Sequence, residues 1–492
     1  FTISGDTSGF LNLPGGAIGM AFGAEYRRED YFSSYDAFTR GEYAPGQSNT
    51  FLNAIAPSDP DAVSVYEGFA EVRIPLLKDM AFFHDLTLNA SGRVSKYNIY
   101  DDPQWTWSAG GTWAPIPDVS FRVNWARAIR TPNLADLYAG TSQTFANNFV
   151  DPCSQTVINQ NPNRVRNCAA AGIPTTIIVG TLADGSPDVR PWTNAPTSGI
   201  LGVNGGNPFL KPERADSFTV GTILKPRFLP GFQLSFDYYN IRIKDAINFV
   251  TPQTIVNSCY DDPVGINNEF CSFVNRRRDP TNPIADYTFA GQQGRRFAGY
   301  PDFNVGIVGN GFVNAPFNYA KLATSGIDAN LSYRHVFNEN TRLNLSTIVS
   351  WLETRNQFTF LSDPNRYTRV KSVLGDPEWR AQVNALFEAK TFDFSVTAQY
   401  IGKQTVGAWN VQNREQDRPP TNADAFPFVY YPEVVIADVQ LGIKVQDNFR
   451  FYIGVDNITD QLPPYGLTGT GTGSAIFPVT GRYFYGGVRI KM

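Results

Sequence analysis

The sequence, which has 492 residues, predicts an all-β fold, specifically a transmembrane antiparallel β-barrel. Aromatic residues make up 14% of the chain and charged residues only 17%, which is well below the usual quarter. Apolar and polar residues alternate with a period of two in about fourteen segments, as expected of strands with one apolar and one polar face. The joins between the segments are short at one end and long at the other. That asymmetry is typical of barrels that cross a membrane.

Most of the alternating segments are long enough to cross a bilayer as tilted strands, which takes about 9–11 residues. The apolar rows could instead face the packed core of a large secreted protein. They are rich in aromatic and small residues, however, and the opposite rows carry Asp, Arg, Gln and Asn, which suits a wide, wet lumen. We interpret these segments as strands of a barrel: 17–30, 62–77, 85–100, 104–115, 119–129, 216–226, 232–247, 324–337, 341–355, 378–390, 392–403, 433–445, 448–460 and 481–492.

The joins alternate in length along the chain. Short joins such as "PIPD" (115–118) and "NEN" (338–340) separate long ones, and only the join at 101–103 is short where the alternation predicts a long one. Soluble sandwiches and propellers rarely carry such long loops repeatedly at one end. The sequence therefore predicts long extracellular loops at about 31–61, 131–215, 248–323, 356–377, 403–432 and 461–481.

The composition argues against several other classes of protein. The formal net charge of −4 disfavours nucleic acid as a partner, since nucleic-acid binding calls for basic patches. Two histidines, His84 and His335, are too few for a histidine metal site, and neither has an evident nucleophile beside it. We expect no cofactor and no metal, and an outer-membrane hydrolase is the least favoured of the functions considered.

The four cysteines fall into two local pairs within polar segments rich in Pro and Asn. Cys153 lies near Cys168, and Cys259 lies near Cys271, with no C-x-x-C spacing that would favour zinc or thioredoxin chemistry. Free thiols remain the alternative, but two disulfides in exposed loops are the better interpretation. Each would constrain the chain by about 3 kcal/mol in the chain-entropy model. Disulfides indicate an oxidising compartment.

Four stretches of the sequence carry short motifs in a fixed order: "NWARAIRTPNLADLYAG" (124–140), "GNPFLKPERADSFTVG" (206–221), "GVDNITDQLPPY" (454–465) and "GRYFYGGVRIKM" (481–492). Together they resemble motifs of one family, the TonB-dependent outer-membrane receptors. The first resembles the R-x-P-x-L-x-[DE]-L-[YF] signature of that family, and the second resembles its NP-x-L-x-PE loop. The third is similar to the NL-x-D segment of the penultimate strand, and the fourth is similar to the closing strand, although Met492 stands where the family usually ends in Phe.

The motif residues also have a physical interpretation. Pro132 lacks an amide donor and should end its strand, while Arg130 beside it can anchor the base of a loop. Arg130, Asn133 and Glu213 either organise the rim or contact a substrate, and we favour the rim. Asn457 and Asp460 should bond the local backbone where a strand becomes a loop. The motif positions are Arg130, Pro132, Asn133, Leu134, Leu137, Asn207, Pro208, Leu210, Pro212, Glu213, Asn457, Asp460, Gly481 and Arg482.

The resemblance implies an architecture larger than this sequence. Family members have a barrel of about 22 strands whose lumen holds an N-terminal plug. We interpret the chain as the C-terminal portion of such a barrel, strands 9 to 22, with the plug outside it. Fourteen strands could instead close by themselves as a small porin, and pairing of the first strand with the last would support that alternative.

The resemblance also implies a function and a location. The expected protein lies in the outer membrane of a Gram-negative bacterium, in contact with lipid and lipopolysaccharide. It would bind a scarce ligand, such as a ferric siderophore, glycan, vitamin or peptide, and import it with energy from the TonB–ExbB–ExbD complex acting through the plug. A passive channel is the main alternative.

Ligand contacts would come from loop side chains, because the barrel supplies only a frame. The candidates are Trp192, Tyr260 and the run Arg276, Arg277 and Arg278. Three adjacent guanidinium groups suit an anionic ligand, either a ferric siderophore or a lipopolysaccharide phosphate. Each of the five could equally be a solvated loop residue.

Overall fold

The computed structural model describes residues 1–40, 42, 55–147, 149–193, 200–275, 311–358, 365, 367–405, 430–446, 449–463 and 476–490. Within these ranges no helix combines the length and the apolar character needed to cross a bilayer.

One antiparallel sheet organises the chain. Each strand pairs with the strand before it and the strand after it, so the order in the sheet follows the order in the sequence. The short strand Thr368–Arg369 adds to the edge of one member. The strands are β1 (Thr2–Asp6), β2 (Gly19–Glu29), β3 (Val63–Met80), β4 (Phe83–Tyr97), β5 (Gln104–Ile116), β6 (Val119–Arg130), β7 (Glu213–Leu224), β8 (Phe232–Phe249), β9 (Pro316–Asn338), β10 (Thr341–Phe358), β11 (Trp379–Glu388), β12 (Phe392–Ile401), β13 (Val434–Gln446), β14 (Phe449–Asp456) and β15 (Tyr483–Ile490).

Each predicted segment overlaps one strand of this sheet, and β1 is an additional strand. Strand β9 begins at Pro316, within the predicted loop at 248–323. Strand β1 carries no alternating signal in the sequence: all five of its residues are exposed, and "TISGD" has no apolar row. Strand β1 pairs with β2, and β15 pairs with β14. Among the described residues there is no pairing between β1 and β15, so the direct closure expected of a small porin is not observed.

The long segments at 131–215 and 248–323 were expected to be loops, but they contain regular structure. Three helices form there: α1 (Leu134–Tyr138), α2 (Arg164–Ala170) and α3 (Pro252–Asp261). The remaining short elements are the strands Asn12–Leu13, Gly16–Ala17, Ser142–Ala146, Thr176–Thr181, Pro187–Pro191, Ile200–Asn204, Val274–Asn275, Gly311–Asn314, Gln404–Thr405 and Tyr430–Tyr431, with 3-10 turns at Ile158–Gln160 and Glu269–Phe273.

The apolar rows of the main sheet do not pack into a dry core. Four phenylalanines of these rows, on different strands, are each 40–69% exposed: Phe236, Phe394, Phe451 and Phe484. The buried hydrophobic clusters lie instead near the ends of the strands and in the long segments. An uncovered row of large aromatic side chains is the surface that lipid would cover.

The opposite face carries ion pairs that lie flat against the strands. The guanidinium of Arg122 binds Asp237 with Nε 2.7 Å from Oδ1, and Arg450 binds Asp393 with Nε 2.9 Å from Oδ1. A Cβ at Gly221 would overlap the Asp237 carboxylate. Glycine at that position therefore leaves room for the pair beside the backbone.

Aromatic side chains cluster at both ends of the apolar face. Near the short turns, the Phe232 and Tyr333 rings lie 6.4 Å apart. Towards the long loops, the Trp351 and Trp379 rings lie 6.1 Å apart. Two such clusters, separated by an apolar band, are the pattern of aromatic girdles at the two surfaces of a membrane.

Substituting Phe236 tests whether this face meets lipid. Phe236→Arg places a charge within the apolar band and should destabilise the folded protein by about 2–4 kcal/mol in vesicles. Urea titration of protein refolded into vesicles measures this free energy of unfolding. The matched control is Thr219→Arg on the polar face of β7, which should change it by less than about 1 kcal/mol. Equal costs at the two positions would show that neither face is in lipid.

Candidate functional site

The site with the most defined geometry is the rim where β6 ends and β7 begins. Arg130 and Glu213 are the last register pair of these two strands. Two hydrogen bonds of 2.7 Å join the Arg130 guanidinium to the Glu213 carboxylate, and Glu213 Oε1 also accepts a 2.7 Å bond from the Ile247 amide of β8. The pair therefore fixes three neighbouring strands at the base of the long segments.

The chain turns into α1 directly above this pair. Asn133 Oδ1 accepts a 2.7 Å bond from the Asp136 amide, and Asp136 Oδ2 accepts a 3.1 Å bond from the Asn133 amide. This reciprocal arrangement is a capping box, which satisfies two of the free amides at a helix start. Arg130 lies 3.5 Å from the same Asp136 carboxylate. Pro132 lies just after the end of β6, as expected of a residue that cannot donate to the ladder.

The second motif packs against the first. The buried Asn207 amide group donates to the Pro316 carbonyl at 2.9 Å and accepts from the Phe209 amide at 2.9 Å, while its backbone donates to Asp136 at 2.8 Å. A Cβ at Gly206 would overlap the backbone at Leu137, so only glycine permits this approach. The two motifs therefore form one structural unit, which we call the rim junction.

Leu137 and Leu210 are the apolar part of the rim junction, and both are almost fully buried. The Tyr100 hydroxyl donates a 3.0 Å bond to the Leu210 carbonyl. Burial, with smaller contributions from Tyr138 and Tyr97, raises the pKa of Tyr100. The hydroxyl therefore stays protonated and able to donate at physiological pH.

Above the rim junction the two long segments share a hydrophobic core. We call this unit the loop module, formed by the described residues of 142–204 and 250–317. Its sheet has the order Val274–Asn275, Gly311–Asn314, Ile200–Asn204 and Ser142–Ala146. Buried side chains from both segments fill it: Ala146, Phe149, Cys153, Ile158, Cys168, Ile173, Trp192, Val250, Ile255, Val256, Cys259, Tyr260, Phe270, Phe273, Phe312, Ala315 and Phe317.

Both predicted disulfides lie in the loop module, where Cys153 is bonded to Cys168 and Cys259 to Cys271. Each bond closes a loop within its own segment. A separate clamp joins the two segments.

The clamp between the segments is polar. Arg164 of α2 binds Asp261 of α3 through bonds of 2.6 and 3.0 Å, and the Arg164 side chain is 8% exposed. Asn167 donates to the carbonyls of Tyr260 and Asp262 at 2.9 and 2.8 Å. Because a buried guanidinium without its carboxylate would be costly, this pair holds α2 and α3 in one arrangement.

The structure places the predicted ligand contacts differently from the expectation. Trp192 is 0% exposed and Tyr260 is 3% exposed, so both belong to the core of the loop module and neither offers a surface to a ligand. Arg276, Arg277 and Arg278 lie outside the described residues.

The C-terminal motifs form a second, smaller junction. Asn457 and Asp460 both have positive φ, at 51° and 55°. The Asn457 amide group donates to the carbonyls of Gln461 and Thr480, and Asp460 Oδ1 accepts a 3.0 Å bond from the Arg482 amide. Gly481 lies against the Asp460 carboxylate. These contacts join the end of β14 to the start of β15.

Each of the two histidines lies beside a polar side chain of its own local segment. His84 Nδ1 lies 3.1 Å from the Asp79 carboxylate beside a short turn, and His335 Nδ1 lies 3.1 Å from the Tyr333 hydroxyl in an aromatic cluster. Across the described ranges there is also no cluster of His, Cys, Asp and Glu that could hold a metal ion.

Comparison with known proteins agrees with the motifs. The family model described as TonB dependent receptor-like, beta-barrel, matches residues 1–458. The chain belongs to this family. A search of curated proteins finds no match to the receptor sequence.

Solved structures share the fold of this chain at low sequence identity. The siderophore receptor PirA from Acinetobacter baumannii is 13% identical with a TM-score of 0.56, and a mutant of the ferric enterobactin receptor PfeA from Pseudomonas aeruginosa is 14% identical with a TM-score of 0.56. Another PfeA mutant, in complex with enterobactin, is 15% identical with a TM-score of 0.53. Each alignment covers 99% of this chain and 53% of the other, so the chain spans about half the length of these receptors.

Sequence reasoning missed several residues of the receptor's rim junction and loop module. Asp136 completes a capping box that the spacing Asn-x-x-Asp could have revealed. Arg164, Asn167 and Asp261 carry no local signal, since their partners lie in a distant segment.

Asn207→Ala tests the rim junction of the receptor. Removing this buried amide leaves the Phe209 amide and the Pro316 carbonyl without partners, which should lower the free energy of unfolding by about 2 kcal/mol. Urea unfolding of protein refolded in detergent measures it. The control is Asn240→Ala, whose amide group makes one 3.5 Å contact, to the Tyr238 hydroxyl, among the described residues and should change the stability little. A similar small change for both would contradict a structural role for Asn207.

Removing one disulfide tests whether the loop module is a separate folding unit. The double variant Cys259→Ser with Cys271→Ser should loosen the module by about 3 kcal/mol in the chain-entropy model. Hydrogen exchange followed by mass spectrometry should show faster exchange in α2 and α3 and unchanged exchange in β10–β14. Uniformly faster exchange over the whole receptor would show that the module and the sheet unfold together.

Proposed function

We propose that this chain is part of an outer-membrane receptor of a Gram-negative bacterium that binds a scarce ligand at its extracellular loops and imports it with TonB-transmitted energy. Membership of the receptor family supports the proposal. The observation that carries it is the loop module, a folded unit with two internal disulfides that is joined to the rim junction by the hydrogen bond from Asn207 to the Pro316 carbonyl. A passive pore has no need of such a unit above its entrance.

The proposed ligand is a ferric siderophore. The structural neighbours described by name as siderophore and ferric enterobactin receptors support this class, although a glycan, vitamin or peptide would use the same architecture. We propose Arg276, Arg277 and Arg278 as contacts for an anionic ligand, because they directly follow the module strand Val274–Asn275 in sequence.

The proposal includes a larger assembly. Strands β1 and β15 each have a neighbour on one side only among the described residues, and a sheet edge in lipid would leave backbone groups without partners. We propose that both edges join strands outside this chain to close a barrel of about 22 strands. A plug in the lumen would connect the receptor to TonB–ExbB–ExbD, with lipid and lipopolysaccharide around the apolar band.

Uptake by whole cells tests this function. Cells that make the receptor should accumulate radioactive iron from a ferric siderophore, and accumulation should fall at least tenfold when TonB is deleted or the proton gradient is dissipated. Binding at the cell surface should persist under both conditions. Gradient-independent flux of small solutes through the protein in liposomes would instead support the passive channel.

The same cells also test whether the arginine run binds the ligand. Replacing Arg276, Arg277 and Arg278 with Gln should weaken surface binding of an anionic ferric siderophore about tenfold or more. The control is Arg190→Gln, an exposed arginine in the neighbouring long segment that pairs with Asp188. Unchanged binding in the triple variant would remove the run from the site.

A further inference from the structure

Basic residues lie on the face of the main sheet that also carries Phe236 and the other apolar side chains. They lie between the aromatic girdle and the long loops. Tyr238, Ile327 and Trp351 are register partners across β8, β9 and β10, and they mark the girdle. Further along β8, on the same parity as Tyr238, come Asn240, Arg242 and Lys244.

Small residues on β9 make a groove between its neighbours. Ala323 pairs with Arg242 on one side and Asn356 on the other, and Ser325 pairs with Asn240 and Thr354. The groove has a volume of about 490 Å³. We call it the basic groove, and its lining includes Arg242, Lys244, Lys321, Ser325, Thr354 and Asn356.

The height of the basic groove matches the surface of a membrane. Arg242 lies four residues beyond Tyr238, which belongs to the girdle on the loop side. At a rise of about 3.3 Å per residue and a tilt of about 40°, Arg242 is roughly 10 Å above the girdle along the membrane normal. Because an aromatic girdle marks the boundary of the hydrocarbon, this level is that of the lipid headgroups.

The positively charged side chains of the groove are accessible to a ligand. Arg242, Lys244 and Lys321 are exposed, and within the described part of the chain none of the three forms an ion pair. Of the nearby carboxylates, Asp216 binds Arg127 at 2.7 Å and Glu353 lines the groove.

The groove also offers neutral polar groups. Ser325 and Thr354 bond each other at 2.7 Å, and Asn240 and Asn356 add amide donors around them. Three cations, two amides and hydroxyl groups around one cleft are a set of donors suited to a phosphate group.

We propose that the basic groove binds a phosphate group of a lipopolysaccharide molecule in the outer leaflet beside the receptor. The inference rests on the proposed outer-membrane location, since only there does such a headgroup reach this height. Arg242, Lys244 and Lys321 contact the phosphate, and the Tyr238–Trp351 girdle below them contacts the upper part of the acyl chains. Binding attaches the lipid to β8, β9 and β10, the strands that lead into the loop module.

The test replaces the three cations. The variant Arg242→Gln, Lys244→Gln and Lys321→Gln is compared with a control of equal charge change at the opposite end of the sheet, Lys78→Gln, Lys225→Gln and Lys390→Gln. Each protein is extracted from outer membranes and examined by native mass spectrometry for retained lipopolysaccharide. Delipidated protein is then titrated with bisphosphorylated lipid A and with its dephosphorylated form.

The parental protein and the control should retain lipopolysaccharide and prefer the phosphorylated lipid. The groove variant should bind bisphosphorylated lipid A about tenfold more weakly or worse, while its binding of the dephosphorylated form stays the same. Equal lipid A binding by the groove variant and the control would overturn the proposal, as would displacement by millimolar inorganic phosphate alone.

Two further measurements separate the possible failures. An unchanged shift in electrophoretic mobility on heating shows that the groove variant is folded. Absence of the parental protein from the outer-membrane fraction would refute the proposed function itself, whereas its presence there without retained or phosphate-dependent lipid binding refutes only the groove.

Discussion

The constraint on which the structure depends is that a backbone in lipid must satisfy its hydrogen bonds within the protein. The main sheet meets it by pairing each strand only with its neighbours in sequence, without a crossover. Because these hydrogen bonds run between neighbouring strands, the side chains on the two faces of each strand can differ in polarity. One row can then be apolar, as at Phe236, while the adjacent residue Asp237 forms an ion pair on the opposite face.

At the rim the hydrogen bonds between strands end, and side chains provide hydrogen bonds to the backbone in their place. Arg130 and Glu213 are the last register pair of β6 and β7, and beyond them Asn133 and Asn207 satisfy backbone groups that no strand reaches. Asn457 has the same role at the other junction. The family motifs are therefore concentrated where ladder bonding ends.

How far the sequence predicts this structure depends on how local each signal is. Strands such as β12 and β14 were predicted because a period of two is visible within ten residues, and the cysteine pairs because each closes a short loop. The loop module was not predicted, since its core joins segments about one hundred residues apart. Trp192 and Tyr260 looked exposed because their neighbours in sequence are polar, but the residues that bury them come from elsewhere in the chain.

The clamp between α2 and α3 limits how the loops can respond to a ligand. The Arg164–Asp261 pair and the Asn167 bonds cross between the two long segments, so moving one segment alone would expose or separate buried charged and polar groups. The two segments are therefore expected to move together as one body. If the module binds the ligand as proposed, its preformed structure keeps the loss of conformational entropy on binding small. Specificity would then reside in the outer surface of the module, while the aromatic residues in its interior determine its shape.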